Sequence, residues 1–252
     1  MSLVLLGVVF CAPAFAVDQK LVERLDLSTT AFSELMQSSD SSIPKDMLQK
    51  SEAIVIFPRT LNLAWGIGGQ YGKGVLLRHD KASGGWSKPV FYMIGGLTLG
   101  PQIGGQAVDI VLVIMNEKGL NSLLKSKCTL GGDAGIALGP VGRNATASTD
   151  LRAGAEIYSY SRAKGLYIGL SLKGALVKPD RDANVQYYGA DVTPQDIIYE
   201  NKGAEQSEHN KLLSEIYRFA PPRKKDLTPL MWIAGVLIVL VVIAQIFRAG
   251  KK

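Results

Sequence analysis

Apolar positions recur near helical spacing between residues 17 and 37, where Leu21, Leu25, Phe32 and Leu35 fall on one side with Met36 adjacent. That period predicts an amphipathic helix, open to interruption at Ser28-Thr29-Thr30. A polar loop over 38–42 follows, and Pro44 suits the first turn of a short helix reaching about residue 51. Residues 53–58 form an apolar run closed by Pro58 and are read as a buried strand. The pattern then becomes β-rich over 65–77, 90–99, 107–115, 128–138 and 156–177. Asn116 is a cap for a helix over about 117–126, and Thr193-Pro194 starts another. A last amphipathic helix over about 204–219 runs into Pro221-Pro222.

Glycine punctuates the middle of this pattern. Of 27 glycines, 22 fall between Gly66 and Gly174, the stretch that holds the β-rich runs. Glycines within strands mark bulges, sharp bends or close backbone approach. The expected fold is therefore α+β: a strongly curved antiparallel sheet or small barrel, flanked by N- and C-terminal helices.

Both ends read as membrane signals. Residues 1–16 carry no charge, with an apolar run from Leu3 to Phe10 and the small-residue triplet Ala14-Phe15-Ala16. This matches a signal peptide, although the usual basic start is missing, so that either the true start lies upstream or the segment stays uncleaved. Residues 230–247 are 18 positions without a charge. As a helix they reach about 27 Å, close to the hydrocarbon core of a bilayer. The expected division is a signal peptide at 1–16, a domain with flanking helices at 17–220, a linker at 221–229, a transmembrane helix at 230–247 and a basic tail at 248–252. Basic residues tie across the span, so the export signal orients it, with the domain in the periplasm or another extracytoplasmic space.

Of the 252 residues, 47% are hydrophobic and 20% charged, with a mean hydropathy of +0.14. These values exclude disorder, collagen and a disulfide scaffold. The net charge of +6 is unevenly spread, because residues 43–178 hold sixteen basic and eight acidic side chains while both flanks are mildly acidic. A basic body beside a bilayer has anionic headgroups as a ready partner. A solvated surface is the plainer account of the same charge.

Catalytic and cofactor chemistry finds little support. The cluster from Gly66 to Gly74 lacks the glycine, lysine and hydroxyl spacing of a phosphate loop and the pattern of a dinucleotide fold. His79 and His209 lie far apart and read as surface residues, with no metal-ligand spacing. Cys128 heads an apolar run and reads as core. Ser87 has no nucleophile elbow. Asp109, inside an apolar strand, reads as a carboxylate bonded to backbone, Gln102 or Arg143. No enzyme, cofactor, nucleotide or nucleic-acid partner is expected.

Several segments, taken in order, resemble the SYLF domain, a lipid-binding family related to yeast actin-patch proteins. They are Ile43-Pro44 with Ala53-Ile54-Val55-Ile56-Phe57-Pro58, residues 66–75, Gly85-Trp86-Ser87-Lys88-Pro89, and Gly100-Pro101-Gln102-Ile103-Gly104 leading to Asp109. Leu130-Gly131-Gly132-Asp133-Ala134, Gly139-Pro140-Val141-Gly142-Arg143, Tyr158-Ser159-Tyr160-Ser161 and Lys164-Gly165-Leu166-Tyr167 complete the match over about residues 20–178. The resemblance implies phospholipid binding without catalysis, and actin binding in some fungal relatives. In the family an amphipathic N-terminal segment takes part together with basic residues. Here the helix over 17–37 is net acidic, so local charge makes Lys73, Arg78, Lys88, Arg143, Arg162 and Lys164 the better candidates for headgroup contact.

The expectation is a non-enzymatic, membrane-anchored module that binds anionic phospholipid on the extracytoplasmic face. The alternative is an envelope scaffold that binds another protein or a polymer.

Overall fold

The computed structural model describes residues 18–38, 42–81, 83–141, 154–189 and 191–222, with backbone alone at 64–67 and 97–104. The 1–16 and 230–247 segments and Arg143 lie outside these residues. No helix among the described residues is long and apolar enough to cross a membrane.

Helix α1 (Gln19–Gln37) buries Leu21, Leu25, Phe32, Leu35 and Met36. The expected interruption does not occur. The hydroxyls of Ser28, Thr29 and Thr30 donate to the carbonyls of Arg24, Leu25 and Asp26 at 2.8, 2.8 and 3.0 Å, one turn back, so they stay inside the helical ladder. Helix α2 (Lys45–Lys50) follows Pro44 and buries Met47 and Leu48.

The strands separated in sequence by glycines turn out to be continuous. Residues 53–58 and 65–77 lie in one 28-residue strand, β1 (Ala53–Asp80). The 90–99 and 107–115 runs lie in one 25-residue strand, β3 (Val90–Ile114). The two pair antiparallel from Ala53↔Ile114 to Leu76↔Val90, with register shifts between Phe57 and Thr60 and between Trp65 and Ile67. Glycine bends these strands without ending them, because the ladder needs only backbone groups.

The ribbon folds back on itself. A Cβ on Gly72 would stand 2.4 Å from the Thr60 hydroxyl oxygen, and one on Gly74 2.0 Å from the Ile56 carbonyl oxygen. Only glycine permits that approach. The result is the curled half-barrel that the glycine pattern implied.

Short strands complete the eight-stranded sheet. Strand β2 (Gly85–Trp86) pairs with the end of β1. Strand β6 (Ile157–Ala163) lies along Asp109–Ile114 of β3, while β8 (Leu176–Pro179) lies along Tyr92–Gly95. β4 (Cys128–Thr129) joins β8, and β7 (Leu166–Tyr167) joins β6. One pair departs from the antiparallel expectation, since β5 (Ile136–Leu138) runs parallel to β6.

Asn116 caps α3 (Glu117–Leu123) through the Gly119 N–H. Thr193 and Asp196 form a reciprocal capping box at α5 (Pro194–Glu200). One helix has no counterpart in the sequence reading: α4 (Arg181–Tyr188), capped by Asp180 and ended by Gly189 in the left-handed region. The last helix, α6 (Asn210–Phe219), starts later than the apolar pattern suggested. Phe219 packs edge-on against Phe32 with ring centroids 6.0 Å apart, which holds α6 to α1.

Candidate functional site

The five basic candidates among the described residues do not form one cluster. Lys88 is 5% exposed, with its ammonium on Glu205 at 2.6 Å and on the carbonyls of Asn201 and Gly203 at 3.1 and 3.4 Å. It ties the α5–α6 connection to the sheet. The Arg78 guanidinium stacks over the Tyr199 ring, 4.6 Å from its centroid, beside a 260 Å³ cavity lined by Trp86, Ser87 and Asn201. Arg162 is paired with Glu34 of α1 and lies in register with Asp109. Lys164 occupies the exposed β6–β7 turn at a φ of 48°.

Lys73 belongs to a different arrangement, on the outer face of the sheet. Register aligns Lys73 of β1, Met93 of β3 and Lys178 of β8 in one row across three strands. Directly opposed residues in a ladder share a face. Exposed Lys127 immediately precedes Cys128, which pairs with Val177, the neighbour of Lys178. The adjacent row holds Tyr71, Gly95 and Leu176, with Tyr71 and Leu176 both exposed. The Tyr71 hydroxyl contacts the Met93 sulfur at 3.7 Å, linking the two rows.

Neutralisation of this face is weak. The only acid within 4 Å of Lys73 among the described residues is Asp180, at 3.9 Å, and Asp180 is held at 2.9 Å by buried Arg24. Lys178 and Lys127 make no ion pair among the described residues. An exposed row of ammonium groups beside a tyrosine and a leucine suits a surface that is anionic outside and apolar just beneath.

Lys178 and Lys127 escaped the sequence reading, because neither lies near Lys73 in the chain. The alternation exposed Leu176, buried Val177, exposed Lys178 was the available signal.

The residues considered for catalysis have structural engagements. Ser87 Oγ accepts from the Arg78 N–H and donates to the Lys88 carbonyl, both at 2.9 Å. Asp109 accepts the Arg59 N–H at 2.8 Å and is half-buried, so it is bonded to backbone as expected, while the Gln102 side chain and Arg143 lie outside the described residues. Cys128 is buried, and burial with nearby Asp133 pushes its thiol up to about 11. The expected surface histidines are buried instead. His79 stacks on Trp86 at 4.5 Å and faces the Ser51 carbonyl at 3.1 Å, while His209 meets the Tyr187 hydroxyl at 3.1 Å. Their polar nitrogens find partners inside, which a sequence pattern does not reveal. Among the described residues no three His, Cys, Asp or Glu side chains are grouped to hold a metal ion.

A curled sheet with flanking helices, an exposed cationic row and its polar candidates tied up in structure has the make-up of a binding module. Comparison with known proteins points the same way. The family model described as Ysc84, Las17-binding protein actin regulator, matches residues 95–219. The chain is 35% identical over 160 residues to an SH3 domain-containing protein of Schizosaccharomyces pombe, covering 62% of this chain and 36% of that one. It is 31% identical over 163 residues to LAS seventeen-binding protein 3 of Saccharomyces cerevisiae, covering 64% and 35%. It is 28% identical over 161 residues to SH3 domain-containing YSC84-like protein 1 of Rattus norvegicus, covering 64% and 47%. This chain thus carries a domain of the Ysc84/SYLF family and spans between about a third and a half of the relatives it matches.

Proposed function

We propose that this chain is a non-enzymatic module that docks on the anionic phospholipid surface of a membrane. The observation that carries the reading is the Lys73–Met93–Lys178 row beside Tyr71 and Leu176. The uncharged 1–16 segment and the 230–247 run support an extracytoplasmic domain tethered by a single span. A tether raises local concentration, so a weak headgroup site suffices.

The test is sedimentation of the full chain with phosphatidylcholine vesicles, with and without phosphatidylglycerol, across a salt series. Each lysine is worth about 1 kcal/mol near an anionic surface. Lys73→Ala with Lys178→Ala is therefore expected to weaken the anionic-vesicle preference about thirtyfold. Equal binding to both vesicle types at every salt concentration would remove the lipid reading.

A second reading follows from the names of the relatives. One is called LAS seventeen-binding and the family model an actin regulator, so the same domain could present a protein-binding surface. A protein partner retained after lipid extraction, and released by Lys73→Ala with Lys178→Ala, would favour it.

A further inference from the structure

The middle of the β1–β3 ribbon is amphipathic in the inverse sense of a water-soluble sheet. On β1, Leu61 is 51% and Leu63 60% exposed, and Tyr71 also faces out. The residues between them, on the concave side, are polar: Asn62 is 7% and Gln70 5% exposed. The side-chain oxygens of Asn62 and Gln70 are buried without a hydrogen-bond partner among the described residues. Opposite Leu61 and Leu63 stand only Ala107 and Gly105, so the two leucines lie on a low surface. Water favours the reverse, with leucine inside and every buried polar atom paired.

The alternation extends through the sequence. Odd positions from 61 to 67 are Leu61, Leu63, Trp65 and Ile67, and even positions are Asn62, Ala64, Gly66 and Gly68. The backbone is paired throughout this stretch apart from the register shift between Trp65 and Ile67. Among the described side chains the alternation runs apolar-out and polar-in at Leu61, Asn62, Leu63, Gln70 and Tyr71, and such alternation is the pattern of strands that face lipid. The outer face is bounded by cations at both ends, exposed Arg59 two residues before Leu61 and Lys73 two residues after Tyr71.

We infer that the outer face of this ribbon enters the bilayer, with Leu61 and Leu63 below the headgroups and Arg59 and Lys73 at the level of the phosphates. This rests on the bilayer as the partner proposed above and adds the element that penetrates it. Depth follows from the ladder. Among the described residues no strand pairs with the outer edge of β3 between Gly96 and Val108. Unpaired backbone groups are not tolerated in hydrocarbon. The ribbon therefore lies at the headgroup–acyl boundary, where the edge keeps water, and does not cross the membrane.

The experiment uses the full chain with Cys11→Ser and Cys128→Ala, carrying one cysteine with an environment-sensitive fluorophore at position 61, 62, 63 or 70. Phosphatidylglycerol–phosphatidylcholine vesicles are added, with and without bromine in the acyl chains. Labels at 61 and 63 are expected to shift to shorter wavelength and to be quenched by bromine, while labels at 62 and 70 are not. In a chain labelled at position 71 instead, Leu61→Asn with Leu63→Asn, at exposed positions that leave the core intact, should lose the bromine quenching that the same label shows with both leucines present. Salt-sensitive binding to anionic vesicles with unshifted, unquenched labels at 61 and 63 would overturn insertion and leave the docking reading standing. Absence of any preference for anionic vesicles would overturn both.

Discussion

Gly74 and Ile56 belong to the same strand, eighteen positions apart in sequence, and are in contact, because β1 doubles back over itself. A Cβ at position 74 would meet Ile56 backbone, which cannot rotate aside as a side chain could.

Gly74→Ala is accordingly expected to destabilise the fold by about 3 kcal/mol, the upper range for overpacking. At Gly69 the nearest atom to an added Cβ is 3.9 Å away, so Gly69→Ala serves as the control and should be near neutral. Urea unfolding of both variants checks the difference; equal midpoints would mean the ribbon does not close.

Arg24 and Asp180 join α1 to the start of α4, with Arg24 also 5.2 Å from the Phe91 ring centroid. Both side chains are about nine-tenths buried. Arg24→Ala leaves a buried carboxylate whose next cation, Lys73, is 3.9 Å off. The expected loss is about 3 kcal/mol, and Arg24→Ala with Asp180→Asn should recover part of it. A double variant no more stable than Arg24→Ala would show that the pair is not coupled.

His209 is held neutral in the fold, because burial and nearby Lys88 lower its pKa, against opposing pulls from Glu205 and Glu208. Above the ordinary value of about 6.5 the histidine is neutral folded and unfolded, and its contribution is complete. As pH falls below that value the unfolded chain takes up the proton first, so stability declines until the lowered folded value is reached. The urea midpoint should drop as pH falls through about 6.5, with a shallower drop in His209→Gln. Identical slopes would assign the pH dependence to other groups.

Cys128 should resist thiol reagents near pH 8 in the folded chain carrying Cys11→Ser, and react once urea is added. Burial holds the thiol up at about 11, so little thiolate is present. Stoichiometric reaction before unfolding would contradict the buried site.

The elements were legible where the cause was local. The apolar period of α1, the Asn116 and Thr193 caps and the β-rich runs all depend on residues within a turn or two of each other. Helix α4 was missed although Asp180 and Gly189 supply its cap and its stop, because its polar stretch carries little apolar periodicity. Glycine was correctly tied to curvature, but strand ends were inferred at glycines where the ladder in fact continues.

Charge shows the same limit. The amino-acid order established a basic central body and named Lys73, yet Lys88 is buried on Glu205, and Lys178 and Lys127 join Lys73 only through pairings between distant strands. Composition and local period therefore settled the class of fold, since helix periodicity and glycine's backbone freedom act over a few bonds. Which cations share a face, which histidines are buried and which side of the ribbon meets the outside were decided by the folding-over of β1 and β3. Those relations depend on register across the sheet, where a shift of one residue exchanges the faces.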